Sequence, residues 1–157
     1  MNISPNGDCP GYPHGPMKDW DVSGVTDMSQ MFYIAFDFNQ DLSKWDVSKV
    51  TKFSYMFSCA SSFNQDLSKW DVTAAIDMEV MFAGASSFNQ DLSKWDVSAV
   101  TDMESMFLRA SAFNRQLCGV AWVNSKADKS DMFKDSTGSI SSTVCTTATN
   151  DHGGDYG

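Results

Sequence analysis

The sequence predicts a right-handed α/β solenoid of about five stacked strand–turn–helix repeats, each 25 residues long, with a cap at each end. Apolar columns at that period carry the prediction. They are Trp20, Trp45, Trp70 and Trp95; Phe32, Phe57, Phe82 and Phe107; Phe38, Phe63, Phe88 and Phe113; and Leu42, Leu67, Leu92 and Leu117. One unit of this length cannot bury its apolar face alone, whereas stacked neighbours can, so the period indicates a solenoid.

The segment Leu-Ser-Lys-Trp-Asp-Val predicts a short strand in each repeat. Its apolar residues take positions one, four and six, the spacing of a leucine-rich repeat with Trp and Val in place of two leucines. Trp45 and Val47 are two residues apart and therefore share the inner face of the predicted strand. Lys44, Asp46 and Ser48 are then expected on the outer face.

The second half of each repeat predicts a short helix. Apolar residues recur there at i, i+3, i+4 and i+7, as in Met28, Met31, Phe32 and Ala35. Thr26 precedes this run, where its hydroxyl would cap the first turn, and the same threonine recurs at Thr51 and Thr101. Asp27 is expected in the first turn, which the helix dipole favours. Ile76 replaces the threonine in the third repeat, so a weaker cap is expected there.

The two ends of the chain differ from the repeats. Residues 1–19 contain all four prolines, which indicates an irregular N-terminal cap. Residues 136–157 are rich in Ser, Thr and Gly, which indicates a C-terminal cap followed by a flexible tail. The predicted solenoid covers residues 20–135, divided into 20–44, 45–69, 70–94, 95–119 and a degenerate unit 120–135.

The recurring string FNQDLSKWDVSxVTDMxxMFxxAssF resembles the bacterial surface protein repeat of about 26 residues, within the roughly 20–29 residues of leucine-rich repeats. That repeat is related to BspA-like leucine-rich repeats and to a mycoplasma-type domain of unknown function. The resemblance covers residues 20–135. It implies a secreted or cell-surface protein with a role in adhesion or protein binding, and its motif contains no catalytic residue.

The composition excludes several classes of function. The formal net charge is −9, and no Lys/Arg cluster suits a phosphate backbone, so no nucleic-acid partner is expected. No window approaches the roughly 20 apolar residues of a membrane helix, so no membrane insertion is expected. The polar residues repeat identically, whereas catalysis requires unlike groups that converge on one site. We therefore predict no enzyme, no catalytic residue and no cofactor.

The outer face of the predicted strands is the candidate binding surface, and we call it the charged face. It comprises Asp21, Lys44, Asp46, Ser48, Lys69, Asp71, Thr73, Lys94, Asp96 and Ser98. One interpretation is a solvated lattice in which the lysines neutralise the aspartates. The other is a recognition surface, as repeat proteins commonly use such faces for binding.

The main functional hypothesis is a secreted or cell-surface recognition or adhesion module that binds a protein or glycan through the charged face. The alternative is a structural protein of a filament or wall that self-assembles end to end, because the ends of a solenoid carry unpaired edges. Two lesser alternatives are calcium bound by Asp41, Asp66 and Asp91, and ice or mineral binding. Ordinary turn residues would explain those aspartates equally well.

Four cysteines are compatible with two disulfides in an extracellular protein. Cys118 lies where the repeat pattern fails and Cys145 lies in the tail, so a bridge between them would fix the C-terminal cap. Cys9 would then pair with Cys59 by default. Reduced thiols remain an alternative, whereas a zinc site is disfavoured because no C-x-x-C pair is present.

Overall fold

The computed structural model describes residues 16–145, and this part of the chain contains little regular secondary structure. Its elements are a 3₁₀ helix at Met17–Asp19, strand β1 at Gln116–Leu117, helix α1 at Val120–Asn124 and strand β2 at Ser139–Ile140. Strands β1 and β2 pair in parallel. The predicted α/β solenoid of five strand–turn–helix repeats is therefore wrong, because residues 20–115 contain neither the predicted strands nor the predicted helices.

Two consecutive turns replace the predicted strand. In the second repeat, the amide of Trp45 donates to the carbonyl of Leu42 at 3.0 Å, and the amide of Val50 donates to Val47 at 2.9 Å. Bonds between residues three apart close tight turns, so this segment cannot remain extended. Trp45 and Val47 are nevertheless both buried, as their alternation predicts.

Left-handed residues interrupt the predicted helix. Gln30 and Ile34 have φ values of 60° and 59°, whereas every residue of an α-helix requires a negative φ. Positive φ recurs at Tyr55, Cys59, Val80, Gly84, Ser105, Arg109, Asp131 and Asp135. The chain therefore forms successive turns, and its buried side chains recur at i, i+3, i+4 and i+7, as at Phe53, Met56, Phe57 and Ala60. This arrangement has the same apolar spacing as a helix, which explains the wrong prediction.

The 25-residue units stack on one another through backbone hydrogen bonds, which we call the repeat ladder. Between the first two repeats, the amides of Met28, Gln30, Phe32 and Ile34 donate to the carbonyls of Lys52, Ser54, Met56 and Ser58 at 2.9–3.0 Å. Equivalent bonds join each later pair, and parallel bridges connect Asp27, Lys52, Asp77, Asp102 and Asp128 in turn. Backbone donors that an α-helix would satisfy internally are thus satisfied by the next repeat.

The threonines and aspartates before the predicted helices have other partners. The hydroxyl of Thr51 donates to the carbonyl of Thr26, and that of Thr101 donates to Ile76, so both hydroxyls join neighbouring repeats. The carboxylate of Asp27 accepts the amide of Ser29, which closes a local turn. The predicted helix caps are therefore wrong, because no helix follows these residues.

Aromatic rings form the centre of the core. Phe82 is fully buried, and its ring centroid lies 5.5 Å from that of Phe57 and 5.6 Å from that of Phe107. Its ring also stacks on Phe88 at 4.1 Å, which joins the two Phe columns. The predicted internal position of both columns is confirmed. Burial of a Phe side chain contributes roughly 1.5–3 kcal/mol, so each column contributes substantially to stability.

The repeat pattern changes at α1. Trp122 follows Trp95 after 27 residues, two more than the period. Helix α1 accommodates the added residues, because it leaves Val120 exposed while Trp122 stays fully buried. Beyond it, β2 adds to β1, and the Cys118–Cys145 disulfide joins the tail to the end of the fourth repeat. No helix within residues 16–145 is long and apolar enough to cross a membrane.

Candidate recognition face

The charged face lies on turns, so the sheet surface expected from the sequence is absent. Its members are nonetheless accessible: Ser48 is half-buried, and the other nine residues are exposed. The reason is local, because inward-facing Trp and Val alternate with outward-facing Lys and Asp across both turns of each repeat. The face therefore keeps its accessibility without the predicted strands.

Each aspartate of the charged face is held in one orientation by a residue two positions later. The carboxylate of Asp46 accepts the amide of Ser48 at 3.1 Å and its hydroxyl at 2.6 Å. Asp71 accepts the same two groups from Thr73 at 3.1 and 2.7 Å. One carboxylate oxygen is used in each pair, which leaves the other oxygen available to a partner. The aspartate and hydroxyl columns thus form rigid local units.

These hydrogen bonds also favour the ionised aspartates. Donation from the serine hydroxyl, and then from its backbone amide, holds the pKa of Asp21, Asp46 and Asp96 below the ordinary value of 3.8. The effect follows because a hydrogen bond to a carboxylate stabilises its charged form. These three carboxylates are therefore fully charged at neutral pH.

The lysines of the charged face make no ion pair within residues 16–145. The ion pairs in this part of the chain are Arg109–Asp135 and Lys134–Asp131, both near its C-terminal end. Lys44, Lys69 and Lys94 are exposed, and no carboxylate of the described chain lies within 4.0 Å of their ammonium groups. The charged face thus lacks the direct lysine–aspartate pairs that a self-neutralising lattice would contain.

A groove lies at the C-terminal end of the charged face. Lys94, Asp96 and Ser98 form one wall, and Val120 and Asn124 of α1 form part of the other, around a volume of about 530 Å³. A smaller hollow of about 280 Å³ adjoins it beside Ser98. The groove exists because α1 breaks the repeat at this point. The late position of Trp122 is the sequence signal that could have located it.

The aspartates considered for calcium form turns and no metal cluster. Asp41, Asp66 and Asp91 accept the amides of Ser43, Ser68 and Ser93 at 2.8–2.9 Å. No group of three or more His, Cys, Asp or Glu side chains within residues 16–145 is placed to hold a metal ion. Local donation from the serine, with the amide leading for Asp41 and the hydroxyl for Asp66, lowers the pKa of both carboxyls. The structure thus gives these side chains the turn role that the sequence left open.

An asparagine column was missed as a structural element by sequence reasoning. The side-chain oxygen of Asn64 accepts the amide of Asn89 at 2.9 Å, and Asn39 and Asn89 accept from the next asparagine in the same way. Gln90 also donates its side-chain amide to Asn64. These asparagines therefore join neighbouring repeats. Their strict recurrence every 25 residues was the sequence signal that could have predicted this role.

One predicted disulfide is present and the other involves an undescribed residue. Cys118 and Cys145 are bonded, and the amide of Cys145 also donates to the carbonyl of Cys118 at 2.8 Å. Cys59 is half-buried with a free thiol within the described chain. Cys9 lies outside the described residues, so the Cys9–Cys59 pairing stays a prediction.

The family described as "Mycoplasma protein of unknown function, DUF285" matches residues 11–122 and 60–143. No curated protein and no solved structure matches the chain.

Proposed function

Since the chain belongs to the family described as "Mycoplasma protein of unknown function, DUF285", which names no activity, we propose a function from the geometry of the charged face. The protein is a non-enzymatic recognition or adhesion module, secreted or at the cell surface. It binds a protein or glycan partner through the charged face. The observation that carries this proposal is the column of exposed lysines without ion pairs beside aspartates of fixed orientation.

The charged face suits a partner with repeating acidic and hydroxyl groups. Lys44, Lys69 and Lys94 occupy equivalent positions in consecutive repeats, so their ammonium groups form a regular row. Such a row can contact successive carboxylates or sulfates of an extended chain, each contact being a charge-assisted hydrogen bond. The free oxygens of Asp46, Asp71 and Asp96 can accept hydroxyl groups beside them. An acidic glycan or acidic extended peptide combines both features.

Rigidity supports the same proposal. The aspartates are ordered before any partner arrives, because the amide and hydroxyl two residues later hold them. Binding to a pre-ordered surface avoids the loss of side-chain entropy that weakens association. The groove beside α1, lined by Lys94 and Asp96, offers a defined terminus for such a chain.

The proposed extracellular location is supported by the Cys118–Cys145 disulfide and by the resemblance of the repeat to surface-protein repeats. A disulfide such as Cys118–Cys145 persists in oxidising compartments and is rare in the cytosol. The recurring string is similar to BspA-like surface repeats, which are implicated in adhesion. Both points favour the surface role over an intracellular one.

A glycan and matrix-protein array probed with the full chain tests the proposal. We expect binding to acidic glycans or acidic proteins, and affinity that falls as salt rises. The double variant Lys69→Ala, Lys94→Ala should lose about tenfold or more in affinity, equivalent to about 1.4 kcal/mol. The control, Lys52→Ala with Lys134→Ala, makes the same change in net charge away from the charged face. Blank arrays, or equal losses in both variants, would refute the proposal.

A further inference from the structure

Each end of the repeat stack carries unpaired groups of the repeat ladder. At the N-terminal edge, four carbonyls accept no hydrogen bond from the described chain: those of Asp27, Ser29, Met31 and Tyr33. At the C-terminal edge, four amides donate to no backbone carbonyl within the described chain: those of Lys129, Asp131, Phe133 and Asp135. At these four ladder positions, one edge therefore offers acceptors and the other offers donors.

The two edges match in register. Within the chain, the amide of Arg109 donates to the carbonyl of Lys134, just as the amide of Ile34 donates to that of Ser58. Tyr33 and Lys134 therefore hold equivalent positions in the first and last repeats, as do Asp27 and Asp128. A second copy can be placed on the C-terminal edge at the spacing of the internal repeats. Its four carbonyls would then lie opposite the four amides of that edge. That contact would reproduce the ladder formed at each internal repeat boundary.

The N-terminal edge also exposes an apolar patch, which we call the edge patch. Its members and their exposed fractions are Met31 at 42%, Tyr33 at 47%, Ile34 at 45% and Phe36 at 57%. The equivalent residues of the second repeat are Met56, Ser58, Cys59 and Ser61, of which the first two are buried. Adjacent apolar side chains of this size on a surface usually mark a docking site.

The C-terminal edge is suited to receive this patch. Phe133 is half-buried: its ring stacks on Phe107 at 5.6 Å on the inner side. Lys134 pairs with Asp131 at 3.1 Å, and Arg109 pairs with Asp135 at 3.4 Å. These two ion pairs neutralise four charged side chains, and the ammonium group of Lys129 donates to the carbonyls of Ser125 and Ala127. Docking over these ion pairs avoids part of the desolvation cost that unpaired charges would impose on association.

We propose that the N-terminal edge of one copy docks on the C-terminal edge of a second copy and continues the repeat ladder. The contact is heterologous, because different surfaces of the two copies meet, so repetition generates a filament and no closed dimer. The edge patch supplies the apolar contact. Hydrogen bonds from the four amides of one copy to the four carbonyls of the other fix the register. This proposal is independent of the charged face, which lies on the turns and stays accessible along such a filament.

A directed cross-link tests the orientation. Two full-length proteins are prepared with Cys9→Ser and Cys59→Ser, one carrying Tyr33→Cys and the other Lys134→Cys. Equivalent positions in adjoining repeats lie about 4.8 Å apart, within the roughly 4.4–6.8 Å that a disulfide spans between Cα atoms. We expect a covalent dimer when the two are mixed under mild oxidation. Lys69→Cys in place of Lys134→Cys is the matched control, because that lysine lies at mid-stack.

Concentration dependence supplies the second measurement. We expect light scattering of the unmodified chain to show a rising mean mass as concentration increases. Ile34→Lys should reduce this assembly by about tenfold or more, whereas Ile76→Lys should not, although both side chains are about half exposed. A constant monomer mass, a cross-link in either cysteine protein alone, or equal effects of the two lysine variants would overturn the proposal. If Ile34→Lys fails to fold, the cross-linking result alone confirms or overturns the proposal.

Discussion

The indole nitrogen of Trp95 donates a 2.9 Å hydrogen bond to the backbone carbonyl of Leu67, which lies in the second 25-residue unit. Both residues are buried, with exposed fractions of 2% and 0%. The same bond recurs from Trp45 to Met17, from Trp70 to Leu42 and from Trp122 to Leu92. Each of these carbonyls also accepts the backbone amide of the residue three positions later, so the indole supplies a second hydrogen bond to an earlier segment, in addition to filling the core.

Removal of this donor should destabilise the fold. Trp95→Phe removes one of the two hydrogen bonds that the buried Leu67 carbonyl accepts, because the amide of Trp70 still donates to it at 3.0 Å, and we expect a cost of about 0.5–1.5 kcal/mol. Urea denaturation followed by circular dichroism measures the change in the free energy of unfolding. Tyr33→Phe, which removes an exposed hydroxyl, serves as the control and should change stability by less than about 0.5 kcal/mol. Equal stabilities of Trp95→Phe and the parent chain would contradict the assigned role.

The aromatic core predicts a larger effect at Phe82. Phe82→Ala removes a ring that stacks on three others and leaves a cavity, so we expect a loss of about 3–5 kcal/mol. The comparison is Phe36→Ala, at a position that is 57% exposed, for which we expect a change within about 0.5 kcal/mol. Chemical denaturation of both variants decides the matter. Similar losses would show that burial does not distinguish the two positions.

The asparagine column should stabilise the stack through its side-chain oxygen. Asn64→Ala removes the acceptor for the Asn89 amide and the Gln90 side chain, at a cost of about 0.5–1.5 kcal/mol. Asn64→Asp retains an acceptor in the same place and should cost less. Thermal melting of the two variants measures the difference. An alanine variant that is more stable than the aspartate variant would contradict the assigned role of the Asn64 side-chain oxygen.

The Cys118–Cys145 bridge should stabilise the C-terminal end. The bonded cysteines are 27 residues apart, and closure of such a loop contributes about 2–4 kcal/mol. Reduction should therefore raise the intact mass by two hydrogen atoms and lower the melting temperature. Cys59→Ser provides a control that leaves the bridge intact. An unchanged mass after reduction would show that the disulfide does not form.

Acid should destabilise the fold through the aspartate turns. Hydrogen bonds from the following serine lower the folded-state pKa of Asp21, Asp27, Asp41, Asp46, Asp66, Asp96 and Asp128 from the ordinary 3.8. The unfolded chain then binds protons more readily, so the added stability is complete above that ordinary value. It is lost as pH falls through 3.8 towards the lowered pKa values.

Melting temperatures across this pH range provide the measurement. Asp46→Asn should weaken the acid dependence, because its side chain can still accept the Ser48 amide but does not titrate. Asp37→Asn, at an exposed aspartate that makes no hydrogen bond within the described chain, is the control. A melting temperature that stays constant down to about pH 2 would contradict the assigned role of the turns.

Sequence reasoning succeeded where residue identity alone decides the outcome. Phe57, Phe82 and Phe107 are buried because a large apolar ring gains free energy wherever the chain can stack it. Cys118 was singled out because it interrupts the repeat, and the bridge to Cys145 is present. The charged face was also located correctly as accessible surface, although the strands expected beneath it are turns.

The sequence by itself determined the 25-residue period, the inward-facing residues and the outward-facing charges. Only the tertiary structure decided how the backbone satisfies its hydrogen bonds. Inward side chains at i, i+3, i+4 and i+7 fit a helix, and they also fit successive turns that contain left-handed residues such as Gln30 and Ile34. The choice depends on the neighbouring repeat, because its carbonyls accept the amides that a helix would satisfy internally. No pattern within one repeat contains that information.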